Sequence, residues 1–106
     1  MVKVEIDAGV CQYIIKVKVE DKGGYKYKAE IKTDCPHIKD MIPDVTDFDL
    51  MVELTSVYGK QIQEAVKKHL RGSCAGCVVP NGILKAAQTD AGLALPRDMK
   101  VTFIQS

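Results

Sequence analysis

Residues 11–35 read CQYIIKVKVEDKGGYKYKAEIKTDC. Cys11, Tyr13, Ile15, Val17 and Val19 occupy alternate positions, with Lys16, Lys18 and Glu20 between the later ones. After Asp21-Lys22-Gly23-Gly24 the period resumes with Tyr25, Tyr27, Ala29, Ile31, Thr33 and Cys35, against Lys26, Lys28, Glu30 and Lys32. Strict alternation marks two half-buried strands, and the paired glycines mark the hairpin between them. Directly opposed residues of an antiparallel pair point to the same side of the sheet. A three-residue loop over 22–24, with Asp21 facing Tyr25, keeps both apolar sets on one face. That register predicts Cys11 directly opposite Cys35, with Cα atoms about 5 Å apart. A register two residues away makes them diagonal neighbours at the same end of the sheet.

Working outward, Val2, Val4 and Ile6 alternate with Lys3, Glu5 and Asp7, which predicts another strand, and residues 7–10 supply its turn. Beyond the hairpin, Pro36 suits the first turn of a helix capped by Asp34 or Cys35. Ile38, Met41 and Ile42 give that helix its apolar side, and Pro43 is expected to end it. Phe48, Met51 and Leu54 suggest a short helical piece within 44–54. Ser56 is expected to cap a longer helix reaching Arg71, with Tyr58, Ile62, Ala65, Val66, His69 and Leu70 as its stripe and Gly72 as its stop. Pro80 opens a final helix with Ile83, Leu84, Ala87 and Ala91 inward and Gly92 past its end. Met99, Val101 and Phe103 then alternate with Lys100 and Thr102 in an expected closing strand. The sum is one α+β domain over 1–106, a two-layer sandwich with a four-stranded, largely antiparallel sheet and helices packed on one face.

Composition narrows the function classes. Hydrophobic content of 46% and charged content of 27% are ordinary for a soluble globular domain. A formal net charge of +1 provides no field for nucleic acid or an anionic membrane. No apolar run reaches the length of a membrane span, and the start lacks the apolar core of a secretory signal. The expected address is the cytoplasm, where thiols stay reduced and cysteine clusters point to metal or redox chemistry. Nothing here excludes a protein partner or a homo-oligomer.

The chemistry-bearing residues are Cys11, Cys35, Cys74 and Cys77. The Cys74-Ala75-Gly76-Cys77 spacing lets two sulfurs converge on one ion, just before a helix start whose dipole favours thiolates. Four thiolates would close a zinc site or hold an iron–sulfur cluster, with His69 or His37 as substitutes or supporting groups. The plain alternative is four separate small hydrophobes, since free cysteine is among the most buried residue types. Dithiol redox chemistry at Cys74 and Cys77 is a third reading, but no parallel βαβ unit precedes the motif. The lysines of the outer sheet face lack the stacking aromatics of an RNA-binding sheet and read as a solvated face. Asp44, Asp47 and Asp49 read as capping and surface carboxylates. No catalytic motif of a known reaction class is present, so the expected class is a non-enzymatic carrier, sensor or accessory subunit.

Over nearly its whole length the chain resembles a small uncharacterised family of anaerobic archaea and bacteria. The resemblance rests on Asp7-Ala8-Gly9-Val10-Cys11, Asp34-Cys35-Pro36, His69, Cys77-Val78-Val79-Pro80, Gly82-Ile83-Leu84-Lys85-Ala86 and Gly92-Leu93-Ala94-Leu95-Pro96. In that family the third motif reads Cys-Pro-Val-Pro, so Val78 stands where the first proline would be. The resemblance implies that Cys11, Cys35 and Cys77 are the family-like cysteines and that Cys74 is an addition. Three thiolates suggest a site with an open position, or one completed by His69. The resemblance brings no established activity.

Overall fold

The alternating stretches become an antiparallel sheet in a computed structural model that describes residues 1–105. Its strands are β1 (Val2–Asp7), β2 (Ile14–Asp21), β3 (Lys26–Lys32) and β4 (Asp47–Asp49), ordered β1-β2-β3-β4. Among the described residues, four helices, α1 (Pro36–Val45), α2 (Leu50–Glu53), α3 (Gln61–His69) and α4 (Val79–Asp90), complete the regular structure with a short 3-10 turn at Gly72–Cys74. Ile15, Val17, Val19, Tyr27 and Ala29 are buried beneath the helices, and the lysine-bearing face lies open. The expected α+β architecture is therefore present.

The hairpin register is the one two residues away from the direct Cys11–Cys35 pairing. Val17 pairs with Ile31, Val19 with Ala29 and Asp21 with Tyr27. The loop is Gly23, Gly24 and Tyr25, closed by the Lys22 N–H donating to the Lys26 carbonyl. All three loop residues take positive φ, at 112°, 60° and 64°. Tyr25 is thus removed from the ladder, and its carbonyl instead accepts from the Leu50 N–H. A shift of two preserves the face of every side chain, so the core is unaffected. Cys11 is not in a strand at all. β2 starts at Ile14, and residues 9–12 form a turn in which the Gln12 N–H donates to the Gly9 carbonyl.

The fourth strand also differs from expectation. It is Asp47–Asp49, not the closing segment around Val101. Phe48 pairs with Tyr27, and their rings stack at 6.1 Å. Burial of Phe48 against the sheet outweighs the helical spacing of the segment. The stretch from Leu93 to Gln105 has no regular structure, and Val101 and Phe103 are 78% and 94% exposed. Pro43 sits inside the last turn of α1 rather than ending it, and Thr46 Oγ1 donates back to the Ile42 carbonyl.

α3 starts at Gln61 rather than beside Ser56. Its cap comes from Glu53, a fully buried carboxylate. Glu53 accepts from the backbone N–H groups of Lys60, Gln61 and Ile62. Tyr58 at φ 65° and Gly59 at φ 85° turn the chain into this position, which leaves Tyr58 exposed instead of on the helical stripe.

Two contacts fix α4 on the sheet. Near its start, Gly82 lies so close to Ile6 that a Cβ there would collide with the Ile6 side chain. At its end, the buried Tyr27 hydroxyl donates to Asp90 Oδ2 at 2.8 Å. Burial, then the Asp90 carboxylate, push that hydroxyl well above the ordinary tyrosine range, so it stays a donor. The Met1 amino group bonds the other Asp90 oxygen at 2.6 Å. α4 therefore runs antiparallel to β1, with its N-terminus at the Asp7 end.

On the open face the charges interleave. Glu5 lies opposite Lys16, Lys18 opposite Glu30, Glu20 opposite Lys28 and Lys26 opposite Asp49. This is a mixed-sign surface, not a basic patch.

Candidate functional site

The cysteines gather at the end of the sheet where β1 and β3 stop. Cys35 follows β3 and occupies the position before the first turn of α1, 8% exposed and part of the core. Pro36, lacking an N–H, fits that first turn without losing a hydrogen bond. The Cys35 N–H donates to Thr33 Oγ1 at 3.2 Å, and its carbonyl accepts from Lys39 at 2.9 Å. Cys11 lies on the exposed turn between β1 and β2, at the same end.

Cys74 and Cys77 arrive from the helical layer. Gly72, at φ 64°, breaks the chain after α3 and starts the 3-10 turn. The Cys77 N–H donates to the Cys74 carbonyl at 3.1 Å, which folds the Cys-x-x-Cys segment into a tight turn. Both thiols are half-buried against the core. Cys77 stands two residues before α4 begins, so the Val79 N–H at the helix start reaches its sulfur.

Burial dominates the electrostatics of this end of the molecule. Burial pushes the Cys77 thiol above the ordinary cysteine range, and the Val79 N–H partly offsets this. Negative charge on Cys74, Cys35 or Cys11 would push it further in the same direction. Charge on any of the three would thus be felt at Cys77, which fits their shared position at one end of the sheet. The N-termini of α1 and α4 lie beside two of these cysteines, and their dipoles favour negative charge there. All four cysteines are free thiols. Among the described residues, no three His, Cys, Asp or Glu side chains are close enough together to hold a metal ion.

The histidines are placed elsewhere. His69 Nε2 is 2.7 Å from Asp44 Oδ2 near the C-terminal end of α1. Nine residues of helix separate Asp44 from Cys35, about 13 Å along the axis. His37 is exposed on the first turn of α1. The three carboxylates are spent separately. Asp44 takes His69 and Lys68, Asp49 accepts from the Met51 N–H at the start of α2, and Asp47 is exposed on β4.

The Asp44–His69 contact makes a pH prediction. The hydrogen bond from His69 holds the Asp44 carboxyl below its ordinary range, with Lys68 adding to the effect. A lowered folded-state pKa contributes stability that is present above the ordinary aspartate range and lost as pH falls through the lowered value. Asp44→Asn is therefore expected to be less stable than the parent at neutral pH, with the gap closing towards pH 3 and below. Urea unfolding midpoints across that range read it directly.

Sequence reasoning missed Glu53, Asp90 and the Asp44–His69 pair. Each is joined to its partner across a long or irregular stretch of chain, so no local pattern flags it. Among the described residues no helix is long and apolar enough to cross a membrane. A search of the curated proteins found no match, and neither did a search of the solved structures. One family model does match, and it spans residues 2–103, in agreement with a resemblance that runs nearly the whole length. The chain belongs to that family, the family of unknown function DUF6951.

Proposed function

We propose that this chain is a small cytoplasmic accessory domain that binds zinc or an iron–sulfur cluster through its cysteines. Cys11, Cys35 and Cys77 are the ligands, and Cys74 is the fourth. One observation carries the reading: cysteines from three separate parts of the chain, the β1–β2 turn, the start of α1 and the segment before α4, lie at one end of the sheet. Cys74 is preferred to His69 as fourth ligand because His69 is already held by Asp44. Cys11 sits on an exposed turn and Cys74 on a 3-10 turn, so closing the set calls for movement of these two surface segments. Ligand closure on metal uptake is the usual coupling between binding and ordering in such sites.

Dithiol catalysis is less well supported. The Cys74–Cys77 turn follows a helix, α3, rather than the strand of a parallel βαβ unit. A metal-free interaction domain draws support from Cys35, which packs as an ordinary core residue.

The test is purification without oxygen, followed by metal and acid-labile sulfide analysis per chain and a visible spectrum. About one zinc per chain, or iron with matching sulfide, is the expected result. A folded, colourless, metal-free protein that takes up neither on reconstitution overturns the proposal and favours the interaction domain.

A further inference from the structure

We infer that the C-terminal segment is a strand that pairs with the β1 edge of a second copy of this chain. The observations behind this are independent of the cysteines. β1 ends the sheet order, and among the described residues nothing pairs with its outer edge. Val2 and Val4 remain only half-buried at that edge. The same chain carries a strand-patterned segment without a partner. Met99, Val101 and Phe103 alternate with Lys100 and Thr102, and every one of these residues is exposed. An unpaired edge and an unpaired strand are each a liability that the other removes.

Charge selects the direction of pairing. Take the registers that place all three apolar tail residues opposite Val2, Val4 and Ile6. In the antiparallel one, Val101 faces Val4, and Lys100 falls directly opposite Glu5, with Thr102 opposite Lys3. In the parallel one, Lys100 falls beside Lys3. Opposite charges stabilise a cross-strand pair and like charges oppose it, so the antiparallel register is favoured.

Chain reach then selects the second copy. The tail leaves α4 beside Met1, at the Val2 end of β1, because Asp90 is bound to the Met1 amino group. Antiparallel pairing within one chain would need Met99 at the Ile6 end. The Leu93 N–H still donates back to the Gln88 carbonyl, and Arg97 N–H to Leu95 carbonyl closes a tight turn. The six steps from Leu93 to Met99, about 20 Å when fully extended, would have to open that turn, descend from the helical layer to the sheet edge and still run the roughly 14 Å from Val2 to Ile6. The β1 edge of another copy has no such limit, and reciprocal exchange of two tails gives a closed two-fold dimer.

Sedimentation of the full chain and three charge variants tests this. The parent is expected to be a dimer. Lys100→Glu and Glu5→Lys should each raise the dimer dissociation constant about tenfold, and the double variant should bring it back towards the parent value. Both positions are exposed, and circular dichroism checks the fold of Glu5→Lys, which also meets Lys16 in its own sheet. Even-numbered residues of β1 bond β2, so the outer edge offers Lys3 and Glu5, and Thr102→Pro, which removes the donor facing Lys3 from an exposed segment, should give monomers. A parent that stays monomeric at all concentrations overturns the inference, whether or not hydrogen exchange finds its tail protected. So does a dimer indifferent to Thr102→Pro, or one that the double charge reversal fails to restore.

Discussion

Glu53→Ala is expected to lower stability by about 3 kcal/mol, with a fall in Tm on the order of 15 °C for a domain of this size. Glu53 is completely buried, yet its carboxylate is fully used. It accepts from the Gln61 N–H at 2.7 Å and the Ile62 N–H at 3.4 Å, and from the Lys60 N–H between them and Gly59. The first N–H groups of any helix lack partners within it. Alanine would leave these donors facing a cavity, and the positive end of α3 would lose its only nearby buried charge of opposite sign among the described residues. Glu53→Gln should be milder but still costly, because its NH2 group would point a donor at another donor. Gly59→Ala supplies a cross-check. Gly59 has positive φ, and a Cβ there would collide with Glu53 Oε2. Part of the cost of Gly59→Ala should therefore vanish in the Glu53→Ala background, where only the backbone strain remains. Urea unfolding of the two single variants and the double variant measures this coupling. Additive losses would mean that Glu53 and Gly59 do not act as one unit.

That cap also explains where the sequence was hard to read. β1, β2 and β3 were legible because each has one buried face, and a period of two survives any register. α4 was legible because Pro80 and the Ile83, Ala87 spacing agree with each other. β4 was not, because three residues are too few to display a period, and Phe48, Met51 and Leu54 happen to share a helical spacing. The start of α3 was misplaced because Ser56 is a plausible local cap, whereas the true cap is eight residues before the first helical residue, across a turn that requires Gly59. The hairpin slipped by two because Tyr25 accepts a left-handed conformation beside two glycines, which nothing in its residue type demands. For the site, parity placed Cys35 at the right end of the sheet. It could not place Cys11, whose turn is set by Gly9 and Gln12 at positive φ. His69 looked like a ligand because it lies on an apolar stripe, but the stripe packs against α1, where Asp44 meets it.

The cysteines should separate cleanly when replaced one at a time. Cys77→Ser is expected to abolish metal or cluster loading, while Cys74→Ser retains it at reduced affinity. Cys77 is one of the three ligands the proposal requires, half-buried beside the start of α4, so its loss breaks the set. A hydroxyl is a poor substitute, since it stays protonated where a thiolate would bind, and the affinity loss should exceed about a hundredfold. Cys74 contributes one ligand from the edge of the group. Without it Cys11, Cys35 and Cys77 remain, and water can take the fourth position, as it does in open zinc sites. Both residues are half-buried and free, so serine at either position should leave the fold intact. Proton release gives a second readout that a change in packing would not mimic. Burial keeps the Cys77 thiol protonated at neutral pH, so zinc must displace that proton on binding. Zinc added to the parent should acidify a weakly buffered solution, and affinity should fall as pH is lowered. Cys74→Ser should release fewer protons per ion than the parent, and Cys77→Ser none. If Cys77→Ser loads zinc like the parent, with the same proton release, the sulfurs around Cys77 are packing groups and the metal lies elsewhere.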